Sequence, residues 1–201
     1  LDRIAARPSQ GAPGCPEEPS PTARPSGQPA AAARYAVCAD QVALLRGAIE
    51  ASAERKRLLL VVLGASWCPW CGTLQKQLAA GEIVRHAPGV EFDVVDLALS
   101  TVDRGIQVAV PSGLAAREAL IGRELASRRW SFPAIVLIDP NDPSRVVARN
   151  VDDFARQSEG RYDATRLGAM LVAAKAHIES GSAAPTEPGP IMRRLQRWWY
   201  R

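Results

Sequence analysis

Residues 58–71 have the sequence Leu-Leu-Leu-Val-Val-Leu-Gly-Ala-Ser-Trp-Cys-Pro-Trp-Cys. The first six residues are aliphatic and include branched side chains, which is typical of a strand that is buried on both faces of a sheet. After this strand, the helical spacing of Cys71, Leu74 and Leu78 predicts a helix from about residue 68 to residue 80. The sequence therefore places two cysteines where a buried strand is followed by a helix.

The position of Cys68 and Cys71 at the start of a helix favours thiolate chemistry. Unpaired backbone N–H groups and the positive end of the helix dipole stabilise a thiolate at a helix start, here that of Cys68. Pro69 suits the first helical turn, where a missing N–H costs nothing. Cys71 comes within bonding distance, so that one thiolate can attack a substrate disulfide while the other sulfur resolves the mixed disulfide. We predict a redox-active dithiol, with a structural disulfide and a soft-metal site as the alternatives.

A zinc site has the least support, because zinc takes four ligands and usually a second Cys or His pair at matching spacing. His86 and His177 are isolated, and Cys15 and Cys38 do not form a second Cys-x-x-Cys pair. We therefore predict no metal site and no cofactor. We expect Cys15 and Cys38 to be ordinary thiols; a disulfide that closes the Pro-rich segment and a disulfide between chains are the alternatives.

Helix and strand signals alternate on both sides of this motif. Asp40 is a plausible N-cap for a first helix, and Asp163 can cap a final one. Between these helices the patterns predict strand 58–63, helix 68–80, strand 91–99, helix 114–128, strand 134–139, turn 140–143 and strand 145–150. This order describes an α/β domain in which helices cover a small mixed sheet.

Two separate stretches, Leu59–Cys71 and Ser131–Asp139, resemble the thioredoxin-like superfamily. The first resembles its Trp-Cys-x-Trp-Cys branch of thiol–disulfide oxidoreductases. The second is similar to the strand that opens with a cis proline beside the dithiol. The resemblance covers roughly residues 38–180. It implies a thioredoxin fold, with a central mixed β-sheet flanked by helices and a helical insertion before the cis-Pro strand.

The resemblance also implies roles for individual residues. Cys68 would be the attacking thiolate and Cys71 the resolving thiol. Pro133, in cis, would face the sulfurs and leave the backbone of Phe132 free to pair with an extended substrate segment. The candidate substrate-binding residues are those that border the two sulfurs: Trp67, Pro69, Trp70, Phe132 and Pro133.

The chain departs from the family's pattern at two points. Many members have a buried acid on the strand six residues before the first cysteine, where this chain has Val62. Without that acid, Cys71 must lose its proton to water or to another group, and Asp96 is one candidate. The segment between Cys71 and Pro133 is also longer than a minimal thioredoxin needs, and we expect residues 100–130 to add a helix beside the active site.

Composition divides the chain into three parts. Residues 1–34 contain seven prolines and almost no large apolar side chains, which predicts a disordered tether. Residues 35–180 are the predicted thioredoxin-like domain, and residues 181–201 are a linker and a basic aromatic tail.

Residues 191–201 hold four arginines and no acid, so the rest of the chain has 21 basic and 21 acidic residues. The domain therefore lacks the basic field that nucleic acid would require, and the longest apolar run, eight residues, is too short to span a bilayer.

We predict a thiol–disulfide oxidoreductase that exchanges disulfides with protein substrates and has an upstream redox partner. The alternative is a thioredoxin-like binding or assembly module of a larger complex, with a non-catalytic or regulatory dithiol. The Pro-rich tether, the two additional cysteines and the start at Leu1 favour an extracytoplasmic location such as the bacterial periplasm, with or without a membrane tether. For residues 191–201, contact with a membrane surface, docking on a protein and no specific role remain open.

Overall fold

The computed structural model describes residues 35–103, 105–126, 130–156 and 160–181 of the chain. Its elements are, in order, α1 (Gln41–Glu54), β1 (Leu58–Ala65), α2 (Pro69–Ala79), a 3-10 helix (Val84–His86), β2 (Phe92–Asp103), β3 (Ile106–Ala109), α3 (Pro111–Ala126), β4 (Ala134–Asp139), β5 (Asp142–Asn150) and α4 (Ala164–Glu179). Within these described ranges, no helix is both long and apolar enough to cross a membrane. The predicted tether, 1–34, and the predicted tail, 191–201, lie outside the described residues.

Strand β1 is the centre of a five-stranded sheet with the order β3-β2-β1-β4-β5. It runs parallel to β2 and antiparallel to β4, and the outer pairs β2–β3 and β4–β5 are antiparallel. Every residue from Leu59 to Ala65 is buried, because helices cover this strand on both faces. The predicted mixed sheet flanked by helices is confirmed.

Alternate residues of β1 face two different helical layers. Leu60 and Val62 pack with the buried side chains of α2 and α4. Leu59, Val61 and Leu63 point the other way and pack with α1 and α3. A smaller cluster at the carboxyl end of β1 contains both Cys68 and Cys71. The sheet therefore separates two apolar cores, and the cysteines lie at the carboxyl end of its central strand.

Polar side chains fix the starts of two helices, as the sequence predicts. The Asp40 carboxylate accepts hydrogen bonds from the backbone N–H groups of Val42 and Ala43 at the start of α1. The Asp163 carboxylate accepts one from the N–H of Arg166 at the start of α4. Side-chain oxygens at this position satisfy N–H groups that have no partner within the helix.

Strands β2 and β3 form a hairpin that the sequence analysis does not predict. β2 continues past the expected end at Leu99 to Asp103, and Gly105, with φ of 81°, lies in the connection to β3. All four residues of β3 are exposed, so the strand lacks the alternation of apolar and polar residues that marks a half-buried strand. The segment between β2 and β4 thus contains this hairpin in addition to the expected helix, α3.

A fully buried carboxylate joins α1 to the beginning of β2. Asp93 has no exposed surface, and its Oδ2 accepts hydrogen bonds from Ser52 Oγ at 3.0 Å and Arg55 Nε at 2.9 Å. Arg57 adds an ion pair to Oδ1 at 3.5 Å. Because an unpaired buried charge is costly, these partners are what allows a carboxylate at this position.

Gln41 holds the segment before α1 against the sheet. Its buried amide Nε2 donates to the carbonyl oxygens of Ala36 and Ala39, at 2.6 and 2.9 Å, and its Oε1 accepts from the N–H of Ala98 at 2.9 Å. Residues 35–40 are therefore fixed to β2. Cys38, in this segment, is disulfide-bonded, in contrast to the expected thiol; Cys15 lies outside the described residues.

Candidate active site

The carboxyl end of β1 leads directly into the cysteine pair. Cys68 is the N-cap of α2, and its Sγ accepts a hydrogen bond from the backbone N–H of Cys71 at 3.1 Å. Pro69 occupies the first turn of the helix. The two sulfurs form a disulfide, with the Cα atoms 5.3 Å apart. An N–H group that can stabilise a Cys68 thiolate is therefore already directed at the sulfur.

The two cysteines differ in their access to solvent. Cys71 is fully buried, whereas Cys68 keeps 8% of its surface exposed. Exchange requires that a thiolate reach a sulfur of the substrate disulfide. Cys68 is therefore the cysteine whose sulfur a substrate can reach. The buried Cys71 can react only with the Cys68 sulfur.

Tyr35 closes the buried side of Cys71. Both residues belong to the same apolar cluster. A Cβ atom on Gly64 would overlap the Tyr35 hydroxyl and would lie 2.9 Å from the Cys71 Sγ, so both groups occupy the space over this glycine. The Tyr35 hydroxyl is buried and has no hydrogen-bond partner among the described residues. Burial, followed by the negative charge of Asp96, raises the pKa of Tyr35 well above its ordinary value.

Asp96 lies on β2 in register with Val62 on β1. Register partners on adjacent strands direct their side chains to the same face of a sheet, so Asp96 faces the layer that contains α2. After burial, the negative charge of Asp96 is the next contribution to the raised pKa of Tyr35. Asp96, the candidate proton acceptor for Cys71, is therefore on β2, the strand next to β1. It faces the same layer as the side chain of Val62.

The β2–β3 hairpin holds Trp67 beside the dithiol. The indole Nε1–H of Trp67 donates to Ser100 Oγ at 3.1 Å, and the Ser66 and Thr101 hydroxyls are hydrogen-bonded at 3.0 Å. Trp67 is 37% exposed, and its ring meets the Phe132 ring in a T-shaped contact, with the ring centroids 6.0 Å apart. The hairpin thus positions an exposed aromatic surface next to Cys68.

Phe132 and Pro133 bring a second segment of the chain to the cysteines. Phe132 packs against the cluster that contains both cysteines, and the Phe132–Pro133 peptide bond is cis. The Pro133 carbonyl oxygen accepts a hydrogen bond from the N–H of Val151 at 3.1 Å. Strand β4 begins immediately afterwards and pairs with β1, so the sheet itself brings this segment to the site.

Trp70 is fixed on the other side of the cysteines. Its ring lies 5.2 Å from that of Tyr162, and the guanidinium carbon of Arg156 is 4.2 Å from the Trp70 ring centroid. Asp152 orients both neighbours, since it accepts a hydrogen bond from the Tyr162 hydroxyl at 2.7 Å and pairs with Arg156 at 3.3 Å. Burial and then this hydrogen bond raise the pKa of Tyr162. The Arg156 guanidinium thus lies over the Trp70 ring, while its charge is paired with the Asp152 carboxylate.

The described residues include no group of three His, Cys, Asp or Glu side chains that could hold a metal ion. His86 ends the 3-10 helix and packs against Gly168, and His177 lies in the last turn of α4. The Tyr35 hydroxyl belongs to the cluster that contains both sulfurs, and the charge of Asp96 contributes to the raised pKa of Tyr35.

The structure brings the predicted site residues into one region: Cys68, Cys71, Trp67, Pro69, Trp70, Phe132 and Pro133. Tyr35 and Arg156 also contribute to the site and are not among the residues predicted from the sequence. An aromatic residue directly after a Pro-rich segment is the one local signal for Tyr35. No signal marks Arg156, since its contact with Trp70 depends on how the chain folds back after β5.

Residues 41–140 match a family model described as thioredoxin-like. The matched segment extends from α1 through β4 and includes both the cysteine pair and the Phe132–Pro133 segment. No curated protein matches the chain.

Proposed function

Because the protein belongs to the thioredoxin-like superfamily, we propose that it is a thiol–disulfide oxidoreductase that acts on protein substrates through Cys68 and Cys71. The observation that carries this proposal is the arrangement of the pair. The outer sulfur caps a helix and accepts an N–H hydrogen bond, and the inner sulfur is fully buried beneath it. A structural disulfide needs neither feature, whereas stepwise exchange uses both.

The exchange proceeds in two balanced steps. The Cys68 thiolate attacks one sulfur of a substrate disulfide, a mixed disulfide forms, and the other substrate sulfur leaves as a thiolate. The Cys71 thiolate then attacks the Cys68 sulfur, the Cys68–Cys71 disulfide forms, and the second substrate sulfur leaves. Two electrons pass from the dithiol to the substrate. The reverse sequence passes two electrons from a substrate dithiol to the protein.

The surroundings of Cys68 favour an extended protein segment as the substrate. Trp67 and Phe132 form an aromatic surface next to the sulfur, and aromatic surfaces bind apolar side chains without requiring one particular sequence. The backbone at Phe132 would pair with the substrate by strand addition. Trp70 and Pro69 would complete the contact surface around the dithiol.

A dithiol that turns over needs a second protein to restore its redox state, so we propose an upstream redox partner. We also propose an extracytoplasmic location, such as the bacterial periplasm. The disulfide at Cys38 supports this location, because such bonds persist in oxidising compartments. Residues 191–201 would contact a protein or a membrane surface.

The reduction potential of the Cys68–Cys71 pair tests the proposed activity. The full chain is equilibrated in glutathione buffers of varied ratio, and the fluorescence of Trp67 and Trp70 follows the transition. We expect one reversible two-electron transition that is absent in Cys68→Ser. A potential near −270 mV would indicate a reductant of substrates, and one near −120 mV an oxidant, about 7 kcal/mol apart.

A binding or assembly module is the second candidate function. Exposed apolar side chains on the hairpin next to the dithiol favour it, since Ile106 is 67% exposed and Val102 45%; such residues are often part of protein contacts. If no reversible transition occurs at any glutathione ratio, the oxidoreductase proposal fails. Retention of a bound partner by Cys68→Ser would then support the binding module.

A further inference from the structure

We propose that Tyr35 is a catalytic residue of the dithiol: its hydroxyl donates a hydrogen bond to the Cys71 sulfur after reduction and stabilises the Cys71 thiolate. The inference rests on the proposed exchange activity and assigns a role to a residue outside the Cys-x-x-Cys motif. It concerns the second step of the exchange, in which Cys71 attacks Cys68.

The position of the hydroxyl is the first support. Tyr35 is 6% exposed, and its hydroxyl makes no hydrogen bond to any described residue. A buried hydroxyl without a partner costs free energy, so its presence at this position calls for an explanation. The Tyr35 hydroxyl and the Cys71 Sγ crowd the same space over Gly64. In the disulfide, that sulfur carries no charge; as a thiolate, it becomes a strong acceptor.

The second step of the exchange requires a group that stabilises the Cys71 thiolate. Cys71 must be a thiolate to attack Cys68, and it leaves as a thiolate when an incoming thiol reduces the disulfide at Cys68. Its complete burial disfavours that charged form. The N–H of Cys71 does not stabilise its own thiolate, because it is directed at the Cys68 sulfur. A hydroxyl donor on the buried side of Cys71, here that of Tyr35, can stabilise this thiolate.

Tyr35 is suited to donate a proton in a hydrogen bond without losing it. Asp96 and Tyr162 are the titratable groups that act on its hydroxyl, and both raise its pKa, as burial does. The phenol therefore stays protonated at neutral pH, and it is a donor when Cys71 is charged. The proton that Cys71 releases must go elsewhere, and Asp96, which is in register with Val62 and directed to the same face of the sheet, is a carboxylate that can accept it.

Gln41 keeps this geometry fixed. Its amide binds the carbonyl oxygens of Ala36 and Ala39 and the N–H of Ala98, which lies in the cluster with Tyr35 and Cys71. The segment that carries Tyr35 is thus attached to the strand beside the dithiol. A donor that is fixed before the thiolate forms needs no reorganisation when charge develops.

The test separates the two steps of the exchange in Tyr35→Phe, which removes only the hydroxyl. Reduced full-length protein is mixed with oxidised glutathione, quenched with acid at timed intervals, treated with N-ethylmaleimide to block every remaining thiol, and then digested with trypsin. The peptide between the cleavage sites after Arg57 and Lys76 contains both Cys68 and Cys71 but not Cys38. Its mass distinguishes the dithiol, the glutathione mixed disulfide and the internal disulfide. Ser52→Ala, which removes a buried hydroxyl bonded to Asp93, is the matched control.

We expect Tyr35→Phe to form the mixed disulfide at the wild-type rate and to convert it to the internal disulfide about three- to tenfold more slowly at neutral pH. Loss of a hydrogen bond to a charged group lowers the thiolate population about ten- to hundredfold. The less stabilised thiolate is a stronger nucleophile, and this compensates about half of that loss on a logarithmic scale. At high pH, where Cys71 is fully ionised, the variant should become the faster protein.

Other outcomes are equally informative. Unchanged conversion at all pH values would overturn the role of Tyr35 while leaving the proposed activity intact. An unfolded Tyr35→Phe would also overturn it, because the hydroxyl would then have a structural role. If the wild-type protein forms neither the mixed nor the internal disulfide, it is the proposed activity that fails. Ser52→Ala should change neither rate, and slower conversion in this control would assign the effect to a general loss of stability.

Discussion

Replacement of Gly64 by alanine tests the packing on which the buried half of the site depends. The added methyl group would overlap the Tyr35 hydroxyl and come within 2.6 Å of the Tyr35 ring carbon Cζ and 2.9 Å of the Cys71 Sγ. The Cys71 sulfur cannot rotate away, because it is held in the disulfide. The strain must therefore be relieved by displacement of Tyr35 or of β1.

The expected loss in the free energy of unfolding follows from two opposing contributions. Adding a methyl group to a filled core costs about 1–3 kcal/mol. Replacing a glycine inside a strand recovers about 0.5–1 kcal/mol, because the unfolded chain loses less freedom. The overlaps below 3 Å place the packing cost in the upper half of its range, about 2–3 kcal/mol, so the net loss is about 1–2.5 kcal/mol. Gly47→Ala is the matched control: no atom of the described residues lies within 4 Å of a Cβ at that position of α1, and we expect it to gain about 0.5–1 kcal/mol.

Urea unfolding of the oxidised proteins measures these differences, and a double-mutant cycle assigns them. Tyr35→Phe removes the hydroxyl that the new methyl group would overlap, so Gly64→Ala should cost about 0.5–1 kcal/mol less in that background. A Gly64→Ala protein as stable as wild type would refute the packing of Tyr35 and Cys71 over Gly64. A cost that is the same in both backgrounds would place the strain elsewhere than at the hydroxyl.

Two further variants test the surroundings of the site. Asp93→Ala should lose about 3 kcal/mol of stability in urea, the lower end for a broken buried ion pair, because Arg55 and Arg57 are 37% and 25% exposed and can regain water; an unchanged midpoint would contradict the buried network. Glu82→Gln should reduce the loss of stability on acidification. Hydrogen bonds from Gln77 and Arg161 lower the pKa of Glu82 from 4.5, so its contribution is present above that pH and disappears as the pH falls through the lowered value. Equal acid dependence of the two proteins would exclude this contribution.

The parts of the fold that the sequence predicts correctly are those with a local physical signal. The aliphatic run of β1 and the strand from Ala134 to Asp139 are recognisable because full burial leaves no polar position. Asp40 and Asp163 mark helix starts because their carboxylates satisfy nearby N–H groups. The cysteine pair is recognisable because its chemistry depends on a short spacing at such a start.

The missed features depend on contacts between distant parts of the chain. All four residues of strand β3 are exposed, so neither burial nor alternation marks it in the sequence. Tyr35 lies close to Cys71 only because Gln41 attaches residues 35–40 to β2. The position of Asp96 follows from strand register, which spacing along the chain does not determine.

The pairing of Val62 with Asp96 has a consequence for the classification of such proteins. A survey that looks for an acid at a fixed number of positions before the first cysteine would record this chain as lacking one. Yet two strands one spacing apart, about 4.8 Å, are alternative attachment points for a side chain on the same face. A carboxylate at either attachment point therefore faces the same layer. A single alignment column records only one of the two positions, so carboxylates near such a dithiol are better compared by strand and register.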